Sequence, residues 1–462
     1  NDVLQAKEGR RWWCCEAGDA TTTLWADFGD ADPNAALVEI HVRRACFYPT
    51  MPGMNFITVR GFVMQHAATQ WAPPTAEQIG LIGAHWCMGW IIEDNDVSHS
   101  RCTGITLGKY GDPWDNTSQN SAEGYVTTLE RALENGWAKG KIGHHVVRNN
   151  RIAHCEQAGI VGSLGAAFSL VTGNVIHDIH VRRQFGGAEM AGIKFHGAID
   201  TIISRNHVFR SNRGIWLDWM TQGTRVTCNL LHDNGPSEDL FVEVNHGPFL
   251  VDNNVFLSPI AMLEASQGGA YVHNLFAGKI ITRSELSRLT PFHAAHATTV
   301  AGLRNISVND ERFVNNLFVG LGGPALGGLA AYRTPEEPLQ ASGNVFVRGA
   351  QPSPRDVEFV HDEAFGVGLE LLERPDGIFL RLAMDPAWAD AAPRPLVTTD
   401  LLGNAHVPNL PFVQPDGAPY RLDTDYHGAK RCLENPFPGP FVGPAGKDRA
   451  TIRVWPNVSE AE

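Results

Sequence analysis

The chain has 462 residues, 47 of them glycine, and a formal net charge of −13. Such a length can bury a large core, and a glycine share of roughly one in ten, above the usual ~7%, fits a turn-rich β protein. The acidic balance, the lack of Lys/Arg clusters and the absence of a long apolar run argue against nucleic acid, acidic lipid or a membrane as the main partner.

Near the start, Thr22–Ala26 and Leu37–Val42 alternate as strands do. Residues 1–50 therefore read as the end of an accessory, sandwich-like antiparallel β module. No cleavable leader is visible and the first residue is Asn1, so the expectation is a cytoplasmic protein whose native start is missing. Cys14, Cys15, Cys46, Cys87, Cys102, Cys155, Cys228 and Cys432 show no zinc-ligand spacing and read as buried, reduced thiols.

Further along, the triplet Asn-x-aliphatic recurs at Asn95, Asn150, Asn174, Asn206, Asn229, Asn254, Asn274, Asn316 and Asn344. Successive gaps are 55, 24, 32, 23, 25, 20, 42 and 28 residues. A period of this size with short β-rich runs, such as Ile57–Val59, His145–Val147, Thr201–Ile203 and Thr224–Val226, signals stacked coils. Leucine-rich repeats share the period but need L-x-x-L-x-L, which is absent. The fold class expected over residues 51–350 is all-β, a right-handed parallel β-helix. Identical asparagines at one corner of every coil can pass side-chain hydrogen bonds along the stack, and Asn tolerates the left-handed backbone that a tight corner demands. The aliphatic residue after each Asn points inward.

The 55-residue gap holds Tyr125, Val126, Leu129, Ala132, Leu133 and Trp137 at helical spacing, which predicts a helix inserted outside a coil. Residues 351–462 read as an antiparallel β module and tail. A hairpin is expected there, with Arg374-Pro375-Asp376-Gly377 turning between Gly368–Glu373 and Ile378–Leu382.

Aligning coils on Gly104-Ile105, Gly159-Ile160, Gly192-Ile193 and Gly214-Ile215 places Gly108, Ser163, His196 and Asp218 in one column. Asp218 lies eleven residues before Asn229, and Glu243 eleven before Asn254, so Glu243 extends the column. Glu264 follows, one residue out of register. A solenoid does not need stacked acids, because like charges one rung apart repel. A strand spacing of ~4.8 Å is close to the ~5–5.5 Å carboxyl separation of retaining glycosidases, which makes Asp218 and Glu243 the candidate catalytic pair. Lys194 and His196 share the strand before them. Glu189 follows Gly186-Gly187-Ala188, where glycine permits close approach of backbone to a ligand. Lys109, Asn245 and His246 are further candidate substrate contacts, and Trp71, Trp114 and Trp219 are candidate platforms for a sugar face. This set calls for no metal or cofactor.

Four segments, Gln70–Gly80, Gly187–Lys194, Gly214–Met220 and Leu240–Gly247, carry a longer likeness. Through them residues 71–320 resemble the β-xylosidases of glycoside hydrolase family 120. The resemblance implies a parallel β-helix with a β-sandwich, and retaining hydrolysis of β-xylosides such as xylo-oligosaccharides from the non-reducing end. It maps the family's nucleophile onto Asp218, its acid/base onto Glu243 and a further pocket carboxylate onto Glu189. The chain departs from the family by beginning about where the sandwich is ending, and by a small insertion at Gly235–Glu238.

Two other readings stay open on the residues. A β-helix polysaccharide lyase or uronate epimerase would use calcium and an Arg or Lys base, and Arg213 and Arg225 are expected to flank the carboxyl pair. A non-catalytic carbohydrate-binding solenoid would bind sugar without turnover. Association into a homo-oligomer is left undecided by the sequence.

Overall fold

The computed structural model describes residues 13–115, 121–183, 185, 189–306, 310–321, 327–332, 339–443 and 448–456. The chain divides into two compact units, Asn1–Val42 and Arg43–Glu462. In the first, Thr22–Ala26 is the expected strand and pairs antiparallel with Trp13–Ala17. Leu37–Val42 is not a strand. Alternation alone does not make a ladder; no strand among the described residues pairs with this segment, and Leu37, Val38, Ile40 and Val42 are exposed.

The second unit is a right-handed parallel β-helix. Three parallel sheets run along it, with 11, 8 and 11 strands among the described residues. One coil shows the path. Ile215–Asp218 lies in the eight-stranded sheet, Thr224–Thr227 in the second sheet and Leu230–His232 in the third. The chain then returns as Leu240–Glu243, hydrogen-bonded beside Ile215–Asp218. The last strands of the coil are Asp356–Val357 and Val360–Asp362.

The repeated asparagines form one continuous ladder. Asn206 Nδ2 donates to Asn229 Oδ1 at 3.0 Å, Asn229 to Asn254 at 2.9 Å and Asn254 to Asn274 at 3.0 Å. The ladder starts at Asn95 and ends where Asn344 donates to Asp356. The left-handed residue at each corner is the one before the asparagine: Arg205 has φ 50°, Cys228 57° and Asn253 55°. The expectation that the ladder asparagines themselves are left-handed is therefore corrected. An asparagine fits here because its amide both donates and accepts within a buried corner.

The residue two places after each asparagine does point inward. Phe256, Phe276, Phe318 and Phe346 stack with centroids 5.1, 5.3 and 4.9 Å apart in turn. Such close coils explain the glycine column. A Cβ on Gly159 would lie 2.5 Å from the Gly192 carbonyl oxygen, and one on Gly214 would lie 2.3 Å from that of Asp239.

Insertions leave this frame at its corners. The helix Ala122–Glu134 is capped by Ser121 and buries Tyr125, Leu129 and Ala132, with Trp137, against Leu164 and Ile199. The 42-residue gap holds an antiparallel hairpin, Leu289–His293 with Val300–Asn305, which the sequence reading does not foresee. The predicted hairpin near residue 375 forms between Glu370–Arg374 and Gly377–Leu382, and Ala450–Trp455 joins it. Leu380, Leu382 and Val454 pack there with Leu230, Val255 and Leu275. Of the expected thiols, Cys87, Cys102, Cys155 and Cys228 are free and buried, and Cys15, Cys46 and Cys432 are free but exposed; the Cys14 side chain lies outside what the structure describes. No helix among the described residues is long and apolar enough to cross a membrane.

Candidate active site

Period-two alternation in the eight-stranded sheet sends Ile193, Phe195, Ile215, Leu217, Leu240 and Val242 into the coil. Lys194, His196, Trp216, Asp218, Phe241 and Glu243 consequently share the outer face. Ser163 aligns with His196, His196 with Asp218, and Asp218 with Glu243. The column ends there. Glu264 aligns with Val242, and Ala265 with Glu243. Glu264 thus points into the coil, where it accepts hydrogen bonds from the Tyr271 hydroxyl and, at 2.9 Å, the Ser266 amide.

Each candidate carboxyl ends its strand, and the next residue turns the corner with positive φ: 29° at Trp219 and 49° at Val244. A left-handed tryptophan and a left-handed β-branched valine cost about 1–3 kcal/mol each, as do the left-handed corners elsewhere in the coil. Glu189 also has positive φ, 78°.

A cluster of charge lies beneath. Lys194 Nζ is 2.5 Å from Glu189 Oε2 and 3.1 Å from Asp218 Oδ2, and it also contacts His196 Nε2. His196 Nε2 lies 3.1 Å from Asp218 Oδ2. All four side chains are buried. Burial opposes charge on Asp218, but His196 and Lys194 outweigh it and hold the carboxyl well below its ordinary range. Burial likewise opposes charge on His196, and Asp218 overrides it, so the imidazole is raised. Glu189 is lowered, because Lys194 and His196 outweigh its burial. Glu243 goes the other way. Burial, and then the Asp218 charge, push it up to about 7 against the pull of Arg288 and Arg283.

Two buried atoms of this cluster, Asp218 Oδ1 and His196 Nδ1, have no hydrogen-bond partner among the described residues. Buried polar atoms left open by the protein are satisfied by water or by a bound ligand. Glu189, His196 and Asp218 also bring three ligand atoms close enough to hold a metal ion. Lys194 Nζ already stands among them, within 3.1 Å of both carboxylates, and supplies the positive charge such an ion would bring.

Four residues that sequence reasoning does not single out for the site complete its walls. Gln78 Nε2 donates to Glu189 Oε2 at 2.7 Å, while Ser163 Oγ donates to the Pro74 carbonyl at 2.9 Å, so the Trp71–Gln78 segment closes one side. The Tyr125 ring lies 4.7 Å from that of His196 and 5.3 Å from that of Trp219. Arg283 and Arg288 each donate to Glu243 Oε1, at 2.9 and 3.0 Å. Gln78 falls in a segment notable only for its resemblance, and Tyr125 belongs to a stripe that reads as packing. The two arginines occupy a gap with no repeat to align them.

Lys109, Asn245 and His246 make their bonds outside this cluster. Lys109 Nζ binds Asp115 and, at 2.6 Å, the Tyr110 carbonyl. Asn245 Nδ2 donates to the Leu217 carbonyl at 3.0 Å and to Ser266 Oγ at 3.1 Å, a corner link like those of the ladder. His246 Nε2 meets the carbonyls of Thr290 and Arg304, both at 3.1 Å, and so ties down the inserted hairpin. Trp219 is buried, Trp71 is half-buried and Trp114 is exposed. The expectation for Arg225 is corrected, because it lies in the second sheet and grips Asp252 with two bonds. Arg213 pairs with Glu238, its guanidinium 4.5 Å from the Trp216 ring. Gly186, Gly187 and Ala188 lie outside the described residues.

Comparison with known proteins adds three findings. Residues 87–278 match the family model described as a right-handed β-helix region. Among solved structures, the chain is similar to XylC, in a structure titled "The complex structure of XylC with xylose". The two superpose with a TM-score of 0.91 at 38% sequence identity, over 96% of this chain and 74% of XylC. No curated protein matches the sequence.

Proposed function

We propose that this chain, which belongs to the family of XylC, is a retaining, exo-acting β-xylosidase that releases xylose from the non-reducing end of xylo-oligosaccharides or other β-xylosides. The single observation that carries the reading is the Asp218–Glu243 pair. The two residues are one strand apart in direct register, ~4.8 Å, as double displacement requires, and they favour opposite protonation states. A retaining glycosidase of the family 120 type divides its labour in this way.

In the first step Asp218 Oδ1 attacks the anomeric carbon. The bond from that carbon to the leaving oxygen breaks, its electron pair stays on the oxygen, and the Glu243 proton neutralises it. The Asp218 charge disappears into the ester, and the force that kept Glu243 protonated goes with it. Glu243 then takes a proton from water as the water oxygen attacks the same carbon and frees Asp218. Glu189, Lys194 and His196 hold ring hydroxyls and fix the sugar's orientation, and the bound sugar satisfies His196 Nδ1.

Proton NMR of an aryl β-xyloside during cleavage tests this reading. β-Xylose as the first product supports it; α-xylose as the first product, or no cleavage, refutes it.

A further inference from the structure

We infer that the leaving-group side of this site takes an aglycone bearing a carboxylate, gripped by Arg283 and Arg288. The inference rests on the glycosidase reading above and narrows its substrate class.

Exposure sets the direction of the substrate. Lys194, Asp218, His196 and Glu189 are buried under the Trp71–Gln78 segment and Tyr125. The side chains of Arg283 and Arg288 are 45% and 28% exposed. The glycone therefore fills the closed end, and the leaving group extends past Glu243 toward the arginines.

Both guanidiniums bind Glu243 Oε1, and Oε2 carries no hydrogen bond among the described residues. The arginines are placed by aromatic rings, Arg283 5.4 Å from Phe241 and Arg288 5.5 Å from Trp219. Among the described residues the other anion they pair with is Glu285, 2.9 Å from Arg283 Nε and 3.8 Å from Arg288. When Glu243 is protonated, as the first step demands, two cations face one carboxylate. One positive charge is then left over where the leaving group emerges.

A carboxylate on the aglycone cancels that charge with the paired, forked geometry guanidinium favours. It also draws the arginines away from Glu243 while Glu243 must act as an acid. After the aglycone departs, the arginines return to Glu243, which must now be ionised to act as a base. A neutral xylose leaving group does neither.

The test uses two aryl β-xylosides of matched leaving-group acidity, one bearing a ring carboxylate. The expected kcat/KM preference for the carboxylated one is roughly tenfold or more, the usual worth of a charge-assisted pair, and it shrinks as salt is added. In Arg283→Gln/Arg288→Gln the ratio is expected to approach one. A wild-type ratio of one or below overturns the inference and leaves the xylosidase reading intact. A preference that survives the double substitution overturns the role of these arginines. If neither xyloside is cleaved, the underlying reading falls and this one with it. Should the double variant fail to fold, the wild-type ratio and its salt dependence still decide.

Discussion

Asp218 and Glu243 are partners on adjacent strands, yet Asp218 is held ionised while Glu243 is held protonated up to about pH 7. Both are buried, but Lys194 and His196, each 3.1 Å from Asp218 Oδ2, override burial there. At Glu243, burial and then the Asp218 charge on the neighbouring rung outweigh Arg288 and Arg283. Asp218→Ala is accordingly expected to abolish turnover of an aryl β-xyloside. Glu243→Ala should cut the rate by about 10²–10⁴ with a poor leaving group, but keep a fast first step with a good one. Azide should then restore turnover by giving the β-xylosyl azide, seen by mass spectrometry and NMR. No rescue, or an α-azide, contradicts the assignment.

The pH profile follows from the same charges. In the proposed mechanism Glu243 is protonated in the first step, so kcat/KM is expected to fall as pH rises through about 7. Asp218 must be ionised and is held low, which puts the acid limb well under ~4. Lys194→Met removes one of the cations holding it there. The acid limb is then expected to move up toward the ordinary carboxylate range, with a loss of roughly tenfold or more in kcat/KM. An unmoved acid limb counts against the cluster's role.

Much of this site is legible in the sequence because coil length is regular where it matters. The eleven residues from Asp218 to Asn229 and from Glu243 to Asn254 span the same two corners, so a fixed offset from the ladder predicts the register. The offset fails at Glu264. Ala265, the true partner of Glu243, lies only nine residues before Asn274, because that coil is shorter after the site sheet. Gln78, Tyr125, Arg283 and Arg288 escape detection for a different reason. They sit on insertions, whose placement depends on packing with distant coils and leaves no period in the chain.

Glu264 offers a stability test free of catalysis. Burial pushes its carboxyl up to about 8, against hydrogen bonds from Tyr271 and Ser266. The folded value lies above the unfolded ~4.3. Its stabilising contribution is therefore complete below ~4.3, declines as pH rises from there, and is gone once pH has passed about 8. Glu264→Gln keeps the shape and removes the titration. In urea denaturation it should flatten the loss of stability between roughly pH 4.3 and about pH 8 by on the order of a few kcal/mol. An unchanged pH slope contradicts the interior placement of a neutral acid.

The ladder can be cut in its middle. Asn229 accepts from the Asn206 amides and donates to the carbonyls of Ile203 and Thr227 and to Asn254 Oδ1. Asn229→Ala leaves several buried groups unpaired at about 1–3 kcal/mol each, so a total loss of about 2–5 kcal/mol is expected in chemical denaturation. A loss under ~0.5 kcal/mol would show that the corner amides are dispensable.

The most direct measurement is to trap the enzyme with a 2-deoxy-2-fluoro-β-xylosyl fluoride and map the adduct by mass spectrometry. The expected result is one fluoroxylosyl unit per chain, on the peptide carrying Asp218 and attached to that carboxyl. A label on Glu189 or Glu243, or turnover with inversion and no label at all, contradicts the claim that Asp218 is the nucleophile of a double displacement.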